Sequence, residues 1–288
     1  MNKIKLSTEI KIKELSQQYE FDTKLAGIGS CFAQNILNKL SHFGLRISQN
    51  PSGIIYNAIS IENIMERIAN NKLLIKEELF KHNDLWHSWE HHGDFSFSDI
   101  DKALKTANSA ICEFRKSVEN CDIFILTPSS SVVYKYIESQ KIVANCHKVP
   151  NKEFEQNILS MEENLISLNN TIDLIRKINS NCLIIFTLSP VRHYPGNLIL
   201  NAQSKANLLG AISAVSANKN IDYFPSYEIL LDELRDYRFY KEDMLHPNEL
   251  AQKIILSKFL KKYFTPKAIL KMKENEKRYK NSLHKNIK

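Results

Sequence analysis

At 288 residues, 43% hydrophobic and 25% charged, the chain has the make-up of an ordinary globular protein with material for one sizeable core. The formal charge of +7 sits at one end: ten Lys or Arg from Lys261 onward meet only Glu274 and Glu276, which leaves 29 basic and 30 acidic side chains before them. A neutral body gives no footprint for a nucleic-acid partner, and no segment approaches the roughly 18 uninterrupted apolar residues of a membrane span.

Met1 to Leu15 alternates lysines with apolar residues and has no unbroken apolar stretch of the kind an export signal needs, so a cytoplasmic protein is expected. The five cysteines, Cys31, Cys112, Cys121, Cys146 and Cys182, are odd in number and form no C-x-x-C pair. They read as small buried apolar residues and not as a disulfide framework or a zinc site. No metal or other cofactor is expected, and the oligomeric state is left open.

Taken in chain order, Lys24 to Gly29 is an apolar run of strand length, and helical periodicity follows at once from Cys31 to His42, closed by Gly44. Leu45 to Gln49 reads as a second strand and Ile59 to Asn70 as a second helix. Leu85 to Phe97, which carries Trp86, His87, Trp89, His91 and His92, breaks the alternation as an irregular or β-rich insertion. A helix over Asp99 to Glu119 and a strand over Asp122 to Thr127 resume it. Val132 to Ala144 has the pattern of a hairpin turning at Glu138-Ser139-Gln140. Phe154 to Ile178 (helix), Cys182 to Leu188 (strand), Asn201 to Ala217 (helix), Ile221 to Phe224 (strand) and a helix after Pro247 complete the series.

Strands alternating with helices predict an α/β fold in three layers, with a five-stranded parallel sheet between helices. Residues 1 to 264 form a single domain. Residues 265 to 288 form a basic tail with a helical start after Pro266, and its apolar residues are too sparse to promise a packed face. Ligands of such sheets bind at the carboxyl ends of the strands, where both insertions also fall.

Candidate chemistry begins at Gly29-Ser30-Cys31-Phe32-Ala33. Ser30 ends a strand where a helix starts, a position that exposes a hydroxyl above the sheet edge beside unsatisfied backbone N–H groups. The bland alternative is an ordinary helix cap. Cys31 is a rival, since a thiol at a helix N-terminus is readily ionised. Adjacent side chains on a new helix diverge by about 100°, and Cys31 is expected to pack against the sheet. A serine needs a histidine to take its proton and a carboxylate to hold that histidine. Asp243-Met-Leu-His246-Pro supplies both in a strand-to-helix connection on the expected edge. Asp84-Leu-Trp-His87 has the same spacing but lies in the irregular insertion, which shows how weak the spacing is alone.

Gly29-Ser30-Cys31-Phe32-Ala33 spells the motif for which the GSCFA family is named, and that family resembles the SGNH (GDSL-like) hydrolases. The likeness extends through Asn50-Pro51-Ser52-Gly53-Ile54, Val143-Ala-Asn145-Cys-His147, Ser189-Pro190-Val191-Arg192-His193, Ser204-Lys205-Ala206 and the Tyr223 to Tyr240 region. The resemblance implies strand order 2-1-3-4-5, Ser30 as nucleophile, and Asp243 and His246 as its acid and base. The oxyanion-hole asparagine of the SGNH third block is absent, since that place reads Thr127-Pro-Ser-Ser-Ser131. Gly53 through its backbone, Asn145 through its side chain, His147 and Arg192 stand as oxyanion or substrate-binding candidates. The expected activity is hydrolysis of an ester, with an O-acylated carbohydrate as first substrate class. O-acyl transfer onto a glycan and a non-catalytic scaffold are the alternatives.

Overall fold

The computed structural model describes residues 7–193 and 197–285. The first six residues of the lysine-rich N-terminal stretch therefore lie outside the described residues. Five parallel strands form the central sheet: β1 (Lys24–Gly29), β2 (Arg46–Gln49), β5 (Ile123–Thr127), β9 (Leu183–Phe186) and β10 (Ile221–Tyr223). Their spatial order is β10-β9-β5-β1-β2, which is the expected 2-1-3-4-5. The intervening labels belong to two small antiparallel sheets. β3 (Leu79–His82) pairs with β4 (Leu85–Ser88), and β6 (Val132–Tyr136) lies between β7 (Lys141–Val143) and β8 (Phe154–Ile158).

The three inner strands, β1, β5 and β9, are buried on both faces, and their alternate residues divide between two cores. Ala26, Ile28, Phe124, Leu126, Ile184 and Phe186 point to one side. There they meet α2 (Ala58–Asn70), α3 (Ile100–Glu119), α4 (Met161–Ile178) and α5 (Leu198–Val215). Leu25, Ile123, Ile125 and Ile185 point to the other side, against α1 (Cys31–His42) and α7 (Glu249–Tyr263). Between β10 and α7 the chain makes a single helical turn, α6 (Ser226–Glu228), and a π turn over Ile229–Leu234.

Two elements differ from the sequence expectation. Phe154–Ile158 is a strand, not the start of α4. The helix begins after Ser160, whose hydroxyl accepts from Glu163 N–H while the Glu163 carboxylate accepts from Ser160 N–H, a reciprocal cap that fixes the start. The basic tail is also docked. In α8 (Pro266–Lys285), Ala268 and Met272 are buried in the second core, Asn275 Nδ2 donates to the Phe43 carbonyl, and Tyr279 stacks on His42 at 4.2 Å. No helix among the described residues is long and apolar enough to cross a membrane.

Candidate active site

The turn from β1 into α1 leaves room for glycine alone at position 29. A Cβ there would lie 2.4 Å from the Thr127 carbonyl oxygen, so the two strands can approach this closely only without one. Gly29 N–H donates to Asn50 Oδ1 at 2.9 Å, tying the loop after β2 to the turn. Ser30 is still extended (φ −71°, ψ 174°) and its N–H donates to the Thr127 carbonyl, so it continues the strand. Its side chain follows the pleat inward: it is 0% exposed, caps no helix N–H, and its Oγ has no hydrogen-bond partner among the described residues.

Cys31 is the first helical residue, and there the chain leaves the sheet. It is half-buried, and its Sγ lies 3.7 Å from His246 Nε2. The serine packs inward, and the cysteine faces the histidine.

That histidine is held by its own loop. Asp243 Oδ1 accepts from Leu245 N–H and His246 N–H, and Oδ2 accepts from His246 Nδ1 at 2.8 Å. Met244 takes a left-handed conformation (φ 56°) to close this turn. The loop is fastened outside itself by Arg192 N–H on the Leu245 carbonyl and Lys241 N–H on the His246 carbonyl. Asn248 then caps α7 through Ala251 N–H. The backbone N–H groups of His246 and Leu245 lead in lowering the Asp243 pKa to about 2, so the carboxylate is ionised and only accepts. In the neutral ring Nδ1 then carries the proton, and Nε2 keeps a lone pair facing Cys31, with the thiol as the donor in that contact.

The same strand ends hold a buried lysine that the sequence reading did not select as a site residue. Lys205 is 2% exposed, and its Nζ donates to the Ser129 and Ser189 carbonyls at 2.6 Å each. Burial lowers its pKa to about 7, and the charge of Cys31 pulls the other way. Ser129 Oγ is 2.6 Å from His193 Nε2, and the His193 ring meets Tyr56 edge-on. Burial, followed by the charges of Lys205 and His246, lowers the His193 pKa to about 3 and keeps it neutral. Burial also raises the Cys31 thiol pKa. The Phe32 and Cys31 N–H groups, then Lys205 and Lys241, act against that rise. The signal for Lys205 was present in the sequence. It occupies the core-facing row of α5 with Asn201, Leu208 and Ile212, where a lone lysine is costly unless used.

The remaining candidates divide. Arg192 stands beside the Asp243–His246 loop, its guanidinium over the Tyr240 ring at 4.3 Å and the Tyr237 ring at 5.4 Å, lining a groove of about 90 Å³ with Arg235 and Asp236. Gly53 does not offer a free donor, because its N–H closes a turn onto the Asn50 carbonyl. Its φ of 80° and the His92 side chain packed on it account for the glycine there. Asn145 caps the local turn through His147 N–H, and His147 Nε2 bonds the Ser88 carbonyl at 2.8 Å, so both serve to join the two small sheets. Trp89 is consumed in the same joint, stacked on Phe80 at 3.8 Å. Asp84 sits at the left-handed turn between β3 and β4, while His87 bonds the His82 carbonyl and Ser96 Oγ.

The GSCFA family profile matches residues 24–259. No curated protein matches the sequence. Among solved structures, the chain is similar to a carbohydrate esterase family 3 protein from Talaromyces cellulolyticus, at 9% identity and a TM-score of 0.39, with 88% of this chain and 99% of that one covered. It is also similar to a candidate platelet activating factor from Streptococcus pneumonia, at 14% identity and a TM-score of 0.42, with 83% of each chain covered.

Proposed function

We propose that this chain, which belongs to the GSCFA family, is an acyl-ester hydrolase whose base is His246, oriented by Asp243. The observation that carries the reading is the 2.8 Å bond from His246 Nδ1 to an ionised Asp243, with Nε2 presented to the N-terminus of α1. A neutral imidazole in this tautomer can take a proton from a nucleophile and return it to the leaving alkoxide. The helix N-terminus adds the unsatisfied N–H groups of its first turn, which favour negative charge at the place where an oxyanion would form. The edge is that of the carboxyl strand ends, where parallel sheets bind ligands.

An O-acylated carbohydrate is the substrate class we favour. The groove beside the loop offers a guanidinium and two tyrosine rings, groups suited to hydroxyl-rich alcohols. Water is the proposed acceptor. The test is turnover of p-nitrophenyl acetate and of a set of acetylated sugars by the protein and by His246→Ala. Hydrolysis that falls by about 10³ or more in the variant supports the reading. Turnover no greater than that of His246→Ala would sink it, in favour of a scaffold that has kept only the frame.

A further inference from the structure

The cysteine at position 31 has a geometric claim on the histidine that the serine beside it lacks. Ser30 Oγ is buried and touches no hydrogen-bond partner among the described residues, whereas Cys31 Sγ is half-buried and lies within sulfur hydrogen-bonding distance of His246 Nε2. The thiol also stands at the first position of α1, where the backbone N–H groups of the first turn favour developing negative charge. From these contacts we infer that Cys31, not Ser30, is the nucleophile, and that the enzyme works through a thioester by a Cys31–His246–Asp243 triad. The inference rests on the acyl-transfer reading above.

The steps balance without any co-reactant beyond ester and water. The Sγ lone pair forms a bond to the ester carbonyl carbon as the thiol proton passes to His246 Nε2, and the carbonyl π pair moves onto oxygen. Collapse of that oxyanion breaks the carbon–oxygen bond of the ester, and the Nε2 proton goes to the departing alkoxide. Water then attacks the thioester while Nε2 takes its proton. The carbon–sulfur bond breaks, the thiolate recovers a proton from Nε2, and the acid leaves. Because burial holds the resting thiol protonated against the helix dipole and Lys205, proton transfer accompanies attack and does not precede it.

The experiment measures ester turnover in Cys31→Ala and Ser30→Ala, and maps iodoacetamide alkylation on a chain that keeps both Ser30 and Cys31. Cys112 is exposed and will also react, so the mapping is done in a Cys112→Ser background. The expected result is a fall of at least 10² in turnover in Cys31→Ala, activity within about tenfold in Ser30→Ala, and loss of activity that tracks alkylation of Cys31. The alkylation arm guards against misfolded variants. Turnover that survives loss or alkylation of Cys31 but disappears in folded Ser30→Ala overturns the inference and leaves the hydrolase reading intact. Failure of that reading shows separately, as no turnover above the His246→Ala background. In that case Cys31 alkylation indifferent to removal of His246 overturns the inference as well.

Discussion

Asp243→Asn separates the two duties of this carboxylate. Asparagine keeps an oxygen where Oδ1 accepts from the Leu245 and His246 N–H groups, so the tight turn survives. It places an amide NH₂ where Oδ2 now accepts from His246 Nδ1. A donor facing Nδ1 forces the ring proton to Nε2, and Nε2 then has no lone pair for the Cys31 thiol. The expected loss is about 10³ to 10⁴ in kcat/KM, equivalent to about 4 to 5.5 kcal/mol of transition-state stabilisation. The Tm should move by no more than a few degrees, since Asp243 is exposed and both backbone bonds persist. The assay is p-nitrophenyl acetate hydrolysis with a thermal melt on the same sample. An Asp243→Asn protein that keeps more than a tenth of the activity would refute the tautomer argument. An inactive variant that melts 15 °C lower would show that the carboxylate serves the loop alone.

Other perturbations read different parts of the account. Burial leads in lowering the pKa of three histidines, His91 and His193 to about 3 and His147 to about 4. Each takes up a proton on unfolding, near its ordinary pKa of about 6.5, before it can do so in the fold. Stability should therefore fall as pH drops from about 6.5 toward 4, by on the order of 1.4 kcal/mol per pH unit per histidine. A urea midpoint unchanged between pH 7 and pH 5 contradicts this. Lys205, lowered to about 7 in the fold, loses its proton there while the unfolded lysine holds one up to about 10.4. Raising pH from 7 to 9 should stabilise the protein relative to Lys205→Met, and equal pH slopes in the two proteins would refute the lowered pKa of the buried lysine. Gly29→Ala should cost about 2 kcal/mol or more, because its Cβ meets the Thr127 backbone at 2.4 Å. A denaturation midpoint like that of the unsubstituted protein would show that the strands part without strain.

Much of the frame was legible because it rests on local rules. The three inner strands are buried runs bounded by turns, and Gly44 and Pro247 mark helix ends, so the strand bounds fell within about two residues of those observed. The error at Phe154–Ile158 arose because Phe154 and Ile158 happen to match the helical spacing of α4. Ser160 and Glu163, three residues apart, were the overriding signal. At the site, the pairing of Asp243 with His246 was legible because one tight loop holds both. Which of Ser30 and Cys31 faces His246 was not. It depends on which residue is the last to follow the strand, and that is set by the bond from Ser30 N–H to the Thr127 carbonyl, almost a hundred positions away. That the Gly53 N–H closes a turn onto Asn50 was hidden for a related reason, since turns that consume a donor locally look in sequence like turns that present one.

The central claim is best tested by finding where the acyl group rests. Brief reaction with p-nitrophenyl acetate, acid quench and peptide mapping by mass spectrometry would locate it. An acetyl group on Cys31, released by neutral hydroxylamine as a thioester should be and absent from Asp243→Asn, is the predicted result. An acetyl group on Ser30 with Cys31 unmodified would contradict it.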